Sequence, residues 1–190
     1  MIYKLQMGGE VMEKNKKIYV MLSQTGTYFS RMIKFYTRYN YNHTSIALDK
    51  DLKELYSFGR RTSYFPFFPG FVKEEINGGI FKMYDKTTCR VYELSVTEEE
   101  YNEVKKIIDN FNSEYDKYKY SFLGILAIML HIPHERRYRF VCSQFVAYVL
   151  KEGKIVEFDK HVSLVKPEDF DNLEKGQVVY TGLLSNYAIS

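Results

Sequence analysis

A chain of 190 residues, 45% apolar and 27% charged, has the make-up of one globular domain and is too apolar for disorder. Its 27 basic and 24 acidic residues leave a net charge of +3 with no dominant block, which makes no electrostatic case for nucleic acid, so no nucleic-acid partner is expected. The N-terminus lacks an apolar core of signal-peptide length, and the longest apolar run, Phe122–Leu130, falls short of the roughly 20 residues a bilayer span needs, so no integral membrane span and a cytoplasmic location are expected.

Residues 1–17 read as a loosely ordered N-terminal extension of a single domain covering 1–190. Ile18–Leu22 (IYVML) reads as a short buried strand, and Thr27–Tyr39, with Phe29, Met32, Ile33 and Tyr36 at helical spacing, as a helix. Thr44–Leu48 (TSIAL) and Leu52–Phe58 (LKELYSF) read as a hairpin turning at Asp49–Asp51. The stretch from Arg60 to Gly79, punctuated by proline and glycine and rich in Phe, reads as a long loop that packs. Arg90–Val96 alternates as a strand. Thr97 and Glu100 then form a capping box ahead of a helix through Val104, Ile107, Ile108 and Phe111. A second helix covers Phe122–Leu130 and stops before Pro133; a third covers Cys142–Lys151 and ends at Gly153. QVVYTG in the tail is strand-like.

Chemistry concentrates at two places. His43 opens the first hairpin strand, and period-two alternation puts it with Ser45 and Ala47 on the face away from Ile46 and Leu48. Pairing positions whose numbers sum to 101 sets Ile46 against Leu55 and brings Tyr56 and Glu54 onto the His43 face. A loop one residue different brings Ser57 there instead, so all three stay open as the group that orients the imidazole. Cys142 sits at the first turn of the third helix, with Phe145, Val146 and Val149 continuing its buried stripe. Unpaired amides at a helix start lower a thiol pKa and can receive an oxyanion, and Arg137 and Arg139 are cations near enough in sequence to add to the effect. Cys89 has no acid–base neighbour and reads as structural. His131 and His134 read as loop histidines without a third metal ligand, and His161 as a surface turn, so neither a metal nor a cofactor is expected.

The stretches IYVMLSQTGTYFSRMIKFYTRYNYNHTSIAL, YSFGR, FVCSQFVAYVL and PEDF…VVYTGLLSNY together resemble the circularly permuted branch of the NlpC-like papain-fold cysteine peptidases, the group around YiiX-like bacterial proteins and lecithin retinol acyltransferase. The most specific pieces are Tyr-Asn-His before an apolar strand and Cys-Ser-Gln-Phe-Val opening a helix. His43 precedes Cys142 by 99 residues, which is the permuted order. The resemblance implies an α+β fold of permuted papain type, with an antiparallel sheet or half-barrel carrying the His packed against the helix carrying the Cys. It implies Cys142 as nucleophile and His43 as general base, with Tyr56 at the position of the third polar residue, where the family often has His or Glu.

The function this points to is a cysteine peptidase or amidase, acting on cell-wall-type peptides. Two alternatives stand beside it. One is a lipid acyltransferase or thioesterase of the retinol-acyltransferase type, with the YFPFFPGF run lining an acyl groove. The other is a degenerate scaffold that binds a peptide or lipid, which Tyr56 in place of an imidazole or carboxylate favours. In each case the partner is a small peptide or lipid.

Overall fold

Ile18–Leu22 is the middle of a longer strand, β1 (Lys16–Gln24), buried on both faces because a separate apolar layer covers each side of the sheet. The computed structural model describes residues 15–26, 38–61, 69–173 and 175–187. Most of the expected N-terminal extension, residues 1–14, and the main part of the expected Thr27–Tyr39 helix, residues 27–37, lie outside the described residues. Lys16 and Lys17, counted with that extension, belong to β1.

β1 pairs antiparallel with β2 (His43–Ala47) on one side and with β5 (Thr88–Val96) on the other. Beyond β2 the sheet continues through β3 (Leu55–Arg60), β4 (Pro69–Glu74), β6 (Lys119–Tyr120) and β7 (Arg139–Phe140); beyond β5 it ends at β8 (Gly176–Leu183). β6 and β7 run parallel, so the eight-stranded sheet is mixed, where the sequence suggested an antiparallel one. Five helices complete this α+β fold among the described residues: α1 (Gly79–Met83), α2 (Glu98–Ser113), α3 (Phe122–Met129), α4 (Cys142–Glu152) and α5 (Leu184–Tyr187).

The expected long loop from Arg60 to Gly79 is interrupted by a strand. Its residues 62–68 lie outside the described residues, but Pro69–Glu74 is β4, paired with β3 along its whole length. Pro69 sits at the strand's first residue, where its missing N–H costs the ladder least. Gly70 allows close approach of the neighbouring chain: a Cβ there would lie 2.4 Å from the Tyr118 carbonyl oxygen.

The hairpin register also differs by one residue from the expected one. Ile46 faces Tyr56 and Ala47 faces Leu55. The turn holds the extra residue because the Asp49 carboxylate accepts from the amides of Lys53 (3.1 Å) and Glu54 (2.6 Å), while Leu52 takes a positive φ of 56° to bury its side chain.

α2 starts with both halves of its capping box in place: Glu100 N–H donates to Thr97 Oγ1 (3.2 Å) and Thr97 N–H to Glu100 Oε2 (2.8 Å). Its buried stripe, Val104, Ile108 and Phe111, meets the sheet and α4. Phe145 of α4 lies between Phe111 (5.0 Å between ring centroids) and Phe71 of β4 (5.5 Å), with Phe58 of β3 at 5.3 Å. Each fully buried Phe contributes roughly 1.5–3 kcal/mol by leaving water. This cluster fixes the start of α4 against β2 and β3.

Candidate active site

α4 begins abruptly. Val141 ahead of it is extended and offers no side-chain cap, so the amides of the first turn stay open to whatever faces them. What faces them is the Cys142 thiol, 6% exposed, which receives the backbone N–H of Ser143. Ser143 is pinned from behind by its own hydroxyl, which donates to the Val165 carbonyl (2.6 Å). The apolar stripe of Phe145, Val146 and Val149 below is fully buried, as the spacing predicts.

β2 and β3 pair only at Ile46–Tyr56 and Ala47–Leu55. Toward His43 the two strands part, and the Thr44 N–H is directed at the Cys142 sulfur. Alternation puts His43, Ser45, Ser57 and Glu74 on the sheet face away from Ile46, Tyr56, Phe58 and Phe71. The helix-borne thiol and the sheet-borne polar group therefore meet where the hairpin opens.

The imidazole is held from behind. His43 Nε2 lies 2.8 Å from Glu74 Oε1 and 3.0 Å from Ser57 Oγ. Glu74 in turn accepts from Ser57 Oγ (3.2 Å) and, at its other oxygen, from Ser45 Oγ (2.5 Å). With Nε2 occupied in this way, Nδ1 is the nitrogen left to serve the Cys142 thiol, whose pKa the imidazole lowers.

Burial opposes all three charges, yet the three groups overcome it together. Burial disfavours the imidazolium, but the adjacent Glu74 carboxylate and the bond to Cys142 outweigh it and hold His43 well above its ordinary range. Burial likewise pushes Glu74 upward, and the His43 charge with the three hydrogen bonds reverses that, leaving it below the usual carboxylate range. For Cys142 the desolvation penalty is overcome by the bond to and charge of His43 and by the Thr44 and Ser143 amides, so the thiol is lowered. The arrangement favours a thiolate–imidazolium pair backed by a carboxylate.

Tyr120 of β6 completes the surroundings of the sulfur. Burial and the adjacent Cys142 sulfur hold its phenol well above its ordinary range. From the sulfur a cleft of about 260 Å³ opens between Tyr120, Ile125, Ile128, Met129 and Val141, with Lys166 and Glu168 also on its wall.

The residues predicted from sequence are thus partly brought together. Cys142 and His43 meet. Tyr56 does not join them: the register turns it into the core, stacked on Phe71 at 5.9 Å, and it is 7% exposed. Glu54 lies in the turn, where its carbonyl accepts from Leu48 (3.2 Å). Of the three alternatives only Ser57 reaches the imidazole. Arg137 and Arg139 lie outside the groups that lower the thiol; Arg137 covers the Tyr138 ring at 4.9 Å and Arg139 is exposed on β7. Cys89 is buried and its thiol pushed up to about 12 by desolvation. His161 caps a short 3₁₀ turn by accepting from Ser163 N–H, and among the described residues no group of His, Cys, Asp and Glu could hold a metal ion.

Sequence reasoning missed Glu74, Ser45 as its partner, and Tyr120. Glu74 ends a strand disguised by its Pro-Gly opening, and the Phe-Val-Lys-Glu that follows, two apolar residues and then two charged ones, has no period of two to read. β6 is two residues long and has no period to read. No family model, curated protein or solved structure matches the chain.

Proposed function

We propose that this chain is a cysteine hydrolase or acyltransferase of permuted papain-like architecture, working through a thioester on Cys142. One observation carries the reading: a thiol at an uncapped helix start beside an imidazole whose Nε2 is held 2.8 Å from a buried carboxylate. The thiolate attacks an amide or ester carbonyl. Negative charge gathers on the carbonyl oxygen, where the Cys142 N–H at the helix start and the Tyr120 hydroxyl on the cleft wall are the donors assigned to it. The His43 imidazolium gives its proton to the departing amine or alcohol, leaving an acyl thioester. Neutral His43 then takes a proton from water or an acceptor amine, which attacks the thioester and restores the thiol.

Glu74 supports this reading over a degenerate scaffold, because a carboxylate occupies the orienting position that Tyr56 was expected to fill. Among acyl groups, the lining favours an apolar one: Ile125, Ile128, Met129 and Val141 suit a lipid acyl chain better than a polar cell-wall-type peptide. The test pairs a thiol reagent with a substrate panel. Iodoacetamide should modify Cys142 fast at neutral pH and slowly in His43→Ala, and intact-mass spectra should show an acyl adduct from activated esters that Cys142→Ala lacks. Equal alkylation in both proteins, with no adduct from either ester or amide, removes the assignment.

A further inference from the structure

Five of the ten large apolar side chains exposed among the described residues fall within eleven positions: Phe122, Leu123, Leu126, Leu130 and Ile132, each 51–60% exposed. They belong to α3 and the turn that follows it. α3 touches the protein along a narrow line at Gly124, where an added Cβ would stand 2.9 Å from Ser121 Oγ and 3.1 Å from Val141 Cγ1. A second side, Ile125, Ile128 and Met129, lines the cleft to Cys142. The remaining face, Phe122, Leu123, Leu126 and Leu130, is turned to solvent. Patches of this kind mark an interaction surface.

The charges around it say what kind. Lys119 and Arg139 are paired positions on β6 and β7 and project on the same side of the sheet edge at the foot of α3. Arg136 is bridged to Arg139 through the backbone (3.0 Å), and Arg137 follows it. All four are exposed, and none has an ion-pair partner among the described residues. Two acidic neighbours are engaged elsewhere, Glu114 with Lys117 (2.6 Å) and Asp116 with Arg61 (3.5 Å), and the third, Glu135, lies 3.7 Å from His161. An apolar helix face rimmed by free cations and one aromatic, Tyr138, is complementary to a surface that is anionic outside and hydrocarbon beneath.

We propose that α3 docks this protein onto an anionic phospholipid bilayer, lying in the interface with Phe122, Leu123, Leu126 and Leu130 immersed and Lys119, Arg136, Arg137 and Arg139 against the headgroups. At eight residues α3 reaches about 12 Å, so it rests in the interface and does not cross. In this pose the neighbouring side of the same helix presents the apolar cleft to the lipid phase. Docking itself goes beyond the acyl chemistry and does not depend on it.

The chain contains no Trp, so Leu126→Trp in the full-length protein gives a single fluorescent reporter on the docking face. With vesicles of equal parts phosphatidylglycerol and phosphatidylcholine, its emission should shift to the blue and the protein should sediment with the lipid. Binding should be at least tenfold weaker on phosphatidylcholine alone and should weaken with added salt. Arg136→Gln and Arg137→Gln should each cost about fivefold in partitioning, and Leu123→Glu with Leu130→Glu should abolish it. Absence of a shift with either vesicle overturns the proposal. So does unchanged partitioning in the double Glu variant, or a concentration-dependent blue shift without lipid, which gives the face to a second copy of the chain. Repeating the series in Cys142→Ala separates an undocked helix from an inactive thiol.

Discussion

Replacing Glu74 with Gln keeps the side chain's shape and removes its charge. The His43–Glu74 contact is 2.8 Å between the bonded atoms. With both charges spread over their groups, the effective separation is about 4 Å, where unit charges attract by about 4 kcal/mol at an effective dielectric of about 20. A neutral hydrogen bond to the Gln oxygen recovers about 1 kcal/mol. The remaining ~3 kcal/mol is about a hundredfold in the population of the imidazolium–thiolate pair. The assay is the pH profile of iodoacetamide modification, read by peptide mass spectrometry. Cys89, buried with a raised thiol, should stay unmodified and serve as the internal reference. The wild-type rate should rise as pH climbs through the lowered thiol range of Cys142, below the ordinary range near about 8.5. In Glu74→Gln the rise should move toward that ordinary range, and the rate at neutral pH should fall about a hundredfold. An unchanged profile in a variant with native circular dichroism refutes the role of the carboxylate.

Tyr120→Phe removes a hydroxyl from the sulfur and should lower neutral-pH alkylation roughly tenfold, the worth of one hydrogen bond to a charged acceptor; equal rates would take Tyr120 out of the site. Tyr56→Phe should leave the alkylation profile as it is, because that ring packs in the core; a large fall would restore the register expected from sequence. Folding raises the pKa of His43, so its contribution to stability is complete below the unfolded value of about 6.5 and is lost as pH rises through the folded one. Glu74 is lowered, so its contribution is present above about 4.3 and is lost as pH falls through its folded value. In Cys142→Ala, which removes the opposing linkage of the lowered thiol, urea midpoints should therefore decline on both sides, and adding His43→Ala should flatten the alkaline side; an alkaline decline of the same size in that double variant contradicts the linkage. Thr97→Ala opens the capping box of α2 and should cost about 1 kcal/mol, or about 2–4 °C in a thermal melt for a domain of this size; a Tm equal to the wild type would show the cap to be idle.

The pair at the centre of the site was legible because each member carries a local signal. His43 is a polar residue opening an apolar strand, and Cys142 is a thiol at the head of an amphipathic helix. Thr97 and Glu100 announced the start of α2 for the same reason: the interaction spans three residues and needs no tertiary context. The third member was not legible. Glu74 reaches the imidazole across β3, from a strand that proline and glycine make look like a loop, and its partner Ser45 reads as any strand serine. The hairpin register turned on one side-chain cap, Asp49 bonding two amides, together with a positive φ at Leu52, a residue type that seldom adopts it. Tyr120 is set by strand pairing with Phe140 across a separation of 20 residues, which no local period encodes.

Because neighbouring positions on β3 point to opposite sides, a hairpin slipped by one residue has no intermediate form. It would set a phenol ring where the Ser57 hydroxyl belongs and move Ser57 into Phe58's place in the hydrocarbon layer. A burst of thiol acylation is then a census of correctly threaded molecules: in a refolding mixture, the number of fast-reacting sulfurs counts the chains whose β2, β3 and β4 have found their proper alignment, and misthreaded ones stay silent.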